Sequence, residues 1–137
     1  MLARLASLAL ALLALLAAGC GGSDPDEVVR DYFDAVVERD GARACDQLAE
    51  RLRGEIESAP AAREAGRGCA DVMELAAGLN PGLTTEDVED LDVEVEQDGD
   101  EATARLENPL VRSEQTLDLV KENGDWKIST LETRPRG

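Results

Sequence analysis

From about residue 88 the apolar residues of this chain stop recurring every three or four positions and begin to alternate. That change of period limits the fold more than any other feature. Before it, Val29, Tyr32, Phe33, Val36 and Val37 fall at i, i+3, i+4, i+7 and i+8, the stripe of an amphipathic helix. After it, Leu91, Val93 and Val95 alternate with Asp92, Glu94 and Glu96, as in a strand with one face in a core. Helices first and strands afterwards make an α+β domain, and 137 residues leave room for one such domain beside a targeting segment.

Punctuation along the chain divides it further. Asp24-Pro25-Asp26-Glu27 supplies a capping side chain, a proline for the first helical position and two acids for the first turn. Asp40-Gly41 ends that helix. A second and a third helix are expected over 42–57 and 62–78, separated by Ser58-Ala59-Pro60 and closed by Asn80-Pro81-Gly82. Asp98-Gly99 predicts a tight hairpin, with Ala102, Ala104 and Leu106 facing inward on the return strand. Asn108-Pro109 ends it, a third strand follows over 113–122, and Asn123-Gly124 turns the chain into a fourth that carries Trp126 and Ile128 inward. The expectation is three N-terminal helices, a curved antiparallel four-stranded meander and a flexible tail over 132–137.

The first 20 residues read MLARLASLALALLALLAAGC. One basic residue precedes an uncharged run of 14 residues, Leu5–Ala18, which falls short of the roughly 20 needed to cross a bilayer but suits a signal-peptide core. Leu16-Ala17-Ala18-Gly19-Cys20 resembles the lipobox of bacterial lipoproteins. The resemblance implies a signal peptide over 1–19, lipidation of Cys20, a tether over 20–24 and a domain held at the extracytoplasmic side of the cell membrane. An ordinary secretory signal or an uncleaved anchor is the alternative. Lipid, not charge, would hold it there, because a chain of net charge −16 is repelled by an anionic surface.

With Cys20 lipidated, Cys45 and Cys69 remain, and an exported chain with one pair left suggests a disulfide. Periodicity points the same way. Cys45 shares a helical face with Leu48, Ala49, Leu52 and Ile56, and Cys69 shares one with Ala65, Val72, Met73 and Ala76. Both sulfurs then point inward from consecutive helices. Neither a CxxC spacing nor a cluster of cations marks a reactive thiol.

Val29-Arg30-Asp31-Tyr32-Phe33-Asp34-Ala35, the strand Gly99-Asp100-Glu101-Ala102-Thr103-Ala104-Arg105-Leu106 and the hairpin Leu119–Ile128 resemble the nuclear transport factor 2-like superfamily, over residues 25–131. The resemblance implies a cone, in which a curved sheet wraps the first helix and encloses a pocket. Tyr32, Val36, Leu119 and Trp126 are the candidate lining.

Several chemistries are excluded or unsupported. No histidine is present, which removes Ser-His-Asp and Cys-His nucleophile pairs and His-ligated zinc or haem. Thirty acidic residues against fourteen basic ones argue against nucleic acid. Ten of the sixteen residues Glu86–Glu101 are acidic, yet Asp92, Glu94 and Glu96 alternate with apolar residues and so line the outer face of a strand. Weak divalent-cation binding is the alternative there, but an EF-hand alignment on Gly99 puts Arg105 where the bidentate glutamate belongs. Isomerases and cyclases of the superfamily place an Asp or His inside the cone. Here Asp118 should point outward, and no catalytic residue, metal ligand or cofactor is carried over. The expectation is a non-catalytic, lipid-anchored binding or accessory module for a small apolar ligand or an envelope partner protein. A small-molecule isomerase or cyclase, and a purely structural homodimerisation domain, are the alternatives.

Overall fold

The computed structural model describes residues 23–79, 82–108 and 113–134. The expected signal peptide, Cys20, the expected turn at Asn80-Pro81, the expected strand end at Pro109 and residues 135–137 lie outside the described residues. Six helical segments precede the sheet: α1 (Pro25–Val37), α2 (Gly41–Asp46), α3 (Glu50–Ser58), α4 (Pro60–Glu64), α5 (Cys69–Gly78) and α6 (Thr85–Glu89). Four strands follow: β1 (Val93–Asp98), β2 (Glu101–Asn108), β3 (Ser113–Glu122) and β4 (Asp125–Arg134). They form one open antiparallel sheet in the order β1-β2-β3-β4. The architecture is the expected α+β, helices followed by a meander. No described helix is long and apolar enough to cross a membrane.

α1 begins at Pro25 with Asp26 and Glu27 in its first turn. Asp24 takes the N-cap position, but its side chain makes no capping bond; its carbonyl accepts from the Val28 N–H at 3.1 Å. The buried face is Val28, Val29, Tyr32, Phe33 and Ala35, while Val36 and Val37 sit half-buried at its margin. The stripe is therefore rotated relative to the expected one, because the sheet covers α1 on one flank while α2, α5 and α6 pack on others. The helix closes with both bonds of a Schellman motif: Arg39 N–H to Val36 O and Asp40 N–H to Ala35 O, with Arg39 at φ +56°.

The expected helix over 42–57 is two helices. Between α2 and α3 the backbone leaves the helix to bond with β4: the Ile128 N–H donates to Gln47 O at 2.8 Å, and the Ala49 N–H donates to Ile128 O at 2.7 Å. Leu48 is carried by this bridge into full burial. The expected helix over 62–78 is also divided, at a turn where Gly66 takes φ +63°. Ala65 is consequently exposed, and the inward face of α5 is Cys69, Met73 and Ala77. Sequence reading also missed α6, whose signal is Thr84 and Asp87: the Thr84 hydroxyl accepts from the Asp87 N–H while the Asp87 carboxylate accepts from the Thr84 N–H.

Both hairpins turn where expected. Gly99 at φ +61° opens the β1–β2 turn, and Asn123 and Gly124 at φ +52° and +85° form the β3–β4 turn, the left-handed pair that such a hairpin requires. Ala102, Ala104, Leu106, Leu117, Leu119, Trp126 and Ile128 all face the core. β4 carries a bulge: Asp118 pairs with Thr130 but Leu119 with Ile128, leaving Ser129 as the extra residue. The bulge resets the alternation, so that Leu131 rather than Thr130 returns to the core face. β4 runs on through Arg134, so the first three residues of the expected tail belong to the strand.

Candidate functional site

The four candidate lining residues meet in one apolar cluster. Tyr32, Leu119 and Trp126 are 7%, 1% and 3% exposed, and Val36 packs against them from the margin. The Tyr32 and Phe33 rings stand edge-to-face, with centroids 5.2 Å apart. No polar or charged side chain is buried with them among the described residues. Burial pushes the Tyr32 phenol up to about 12, so it stays protonated through the neutral range. The same cluster holds the Met73 thioether and the Cys45–Cys69 disulfide beside hydrocarbon side chains, the Trp126 indole and the protonated phenol. Of the four candidate lining residues, Leu119 also lines a groove of about 550 Å³ together with Asp118, and Tyr32, Val36 and Trp126 do not line that groove.

The two lysines that flank the closing hairpin act within the chain. The Lys121 ammonium lies 5.3 Å from the centre of the Trp126 ring. The Lys127 ammonium donates to the Asp46 carbonyl at the C-terminus of α2, where a cation meets the negative end of the helix.

On the opposite face of the sheet, alternation sets out a polar surface. Asp118 points outward as expected. Thr103 on β2 and Thr130 on β4 donate their hydroxyls to its two carboxylate oxygens at 3.2 and 2.9 Å, and the Ser129 hydroxyl donates to its carbonyl at 3.0 Å. These residues line a groove of about 550 Å³. With both oxygens engaged by neutral donors on neighbouring strands, this exposed carboxylate ties three strands together at the bulge. Glu94, Glu96, Glu101 and Glu107 share the same acidic face. A smaller cleft of about 170 Å³ lies between Asp92, Glu94, Arg105 and Glu114. Among the described residues no group of His, Cys, Asp and Glu converges to hold a metal ion.

A third feature lies on the helical side and has no counterpart in the sequence expectations. A groove of about 710 Å³ runs along α5 and is lined by Arg39, Arg67, Asp71, Glu74, Leu75 and Leu79. Leu75 and Leu79 are 55% and 76% exposed. The available signal was their i, i+4 spacing, which lies off the Cys69, Met73 and Ala77 face and so makes a second apolar stripe on one short helix. The α5 helix is held from behind: Cys45 and Cys69 form the expected disulfide, with Cα atoms 6.2 Å apart, and join α5 to α2. A search of protein-family models, curated proteins and solved structures finds no match to this chain.

Proposed function

We propose that this chain is a non-catalytic, lipid-anchored extracytoplasmic accessory module of the nuclear transport factor 2-like kind, and that it binds an envelope partner at its surface. The observation that carries this reading is the contact between α1 and the sheet: Tyr32, Phe33, Leu119, Trp126 and Ile128 share one buried cluster. An interior packed in this way favours a surface partner over an enclosed apolar ligand. Anchoring rests on the Leu16–Cys20 motif. If Cys20 is lipidated, the tether up to Asp24 spans roughly 15–18 Å at full extension, which keeps the domain beside the bilayer.

Fractionation of cells expressing the full chain tests the reading. The natural chain should stay with membranes after an alkaline wash, and Cys20→Ser should appear in the soluble fraction; equal partition of both would remove the lipid anchor. Native mass spectrometry of the detergent-extracted protein should show no retained small molecule. A stoichiometric adduct would return the reading to ligand carriage.

A further inference from the structure

We propose that the α5 groove is a self-association surface, on which two copies of this chain pair about a two-fold axis. The inference rests on the surface-partner reading above and names that partner as a second copy. Three observations meet in the groove. First, Leu75 and Leu79 are the large apolar side chains that stand in solvent among the described residues, and both line it. Second, the groove is electrically balanced in a chain of net charge −16, with Arg39 and Arg67 against Asp71 and Glu74. Third, none of these four makes an ion pair or side-chain hydrogen bond among the described residues, although they share one groove.

A two-fold contact is self-complementary: each surface meets its own copy. Leucines then cover leucines, and each copy's two cations come within reach of the other's two carboxylates. The sheet's open face is less suited to this. There Glu94, Glu96, Glu101 and Asp118 outnumber Arg105, so a second copy would meet mostly like charge, which repels within about a Debye length of 8 Å. α5 has 10 residues and so is about 15 Å long. Its face alone offers less than the roughly 800 Å² per partner of a standard interface. The pair is therefore weak in dilute solution and strengthened where anchoring confines copies to one plane.

Cysteine cross-linking of the full chain in membranes tests this. Gly78 lines the groove, and a Cβ there meets no atom within 4 Å, so Gly78→Cys is accommodated. Gly54 on α3 is equally open but lies away from the groove, and Gly54→Cys is the control. Mild oxidation should yield a covalent dimer from Gly78→Cys and far less from Gly54→Cys. Adding Leu75→Asp and Leu79→Asp should reduce the yield by about tenfold or more, since burying either leucine supplies at least that factor in affinity. Arg67→Glu should weaken the cross-link, and Arg67→Glu with Asp71→Arg should restore it. Thermal unfolding of each variant, unchanged within a few degrees, separates lost pairing from lost folding. Equal yields from the two cysteines, or a yield indifferent to the leucine changes, would overturn the proposal. A Gly78→Cys adduct with a protein of different mass would overturn the pair while leaving the surface-partner reading intact.

Discussion

Tyr32 and Gly41 show how single positions carry the fold. Tyr32 is 7% exposed, and its phenol is held in the neutral form up to about 12 against an ordinary value of 10.0. A raised pKa means that the folded state keeps its proton longer than the unfolded chain. Stability should thus be unaffected by Tyr32 below pH 10 and fall by up to about 1.4 kcal/mol per pH unit between 10 and 12. Absorbance titration of this single tyrosine should give a midpoint near 10 in denaturant and ionisation delayed towards 12, or coincident with unfolding, in buffer. Gly41 acts through space rather than charge. A Cβ there would lie 1.9 Å from the Ala70 carbonyl oxygen, a backbone atom of α5 that cannot swing aside. Gly41→Ala should therefore cost about 3 kcal/mol and lower the melting temperature by roughly 10 °C or more. An unchanged melt would mean that α2 and α5 can separate freely. Asp40-Gly41 was legible as a helix end, but the need for glycine was not, since Ala70 of α5 lies far along the chain from Gly41.

At the scale of elements, the end of the closing hairpin locks the helices in place. Both carboxylate oxygens of Glu122 accept from the Glu50 N–H, at 3.2 and 3.3 Å, and so cap α3, whose own N-cap residue is Ala49. A carboxylate meets the positive end of a helix there. Glu122→Ala should cost about 1 kcal/mol, and Glu122→Gln less because an acceptor remains; chemical denaturation of the two variants measures the difference. The Gln47, Ala49 and Ile128 backbone bonds lie alongside this cap. Together they explain why the helical pattern of Cys45, Leu48, Ala49, Leu52 and Ile56 reads as one helix in sequence and folds as two. The pattern places apolar residues correctly but cannot report that β4 competes for the backbone. α6 is the reverse case: Thr84 and Asp87 spelled out a capping box, hidden under an acidic run that reads more readily as the approach to a strand.

For the whole molecule, the Cys45–Cys69 disulfide closes a separation of 24 residues and joins the two helices that Gly41 brings together. Its reduction should destabilise the domain by about 3 kcal/mol in the chain-entropy model. Unfolding with and without reductant measures this, and the unfolded, unreduced chain should expose no thiol from Cys45 or Cys69. Helix-then-strand order, both hairpin turns, the inward faces of β2, β3 and β4, the outward Asp118 and the cysteine pairing were all determined by the sequence. Each rests on a local rule: a period, a left-handed turn, or two small apolar faces that each hold a sulfur. The division of the expected 42–57 helix, the cap from Glu122 and the meeting of Arg39 with α5 in one groove were decided by tertiary structure. Each depends on backbone or side chains that meet across long separations, such as Glu50 with Glu122 at 72 residues. Periodicity records which face of a segment is apolar; only packing decides which apolar residues find cover, and on α5 it leaves Leu75 and Leu79 more than half exposed.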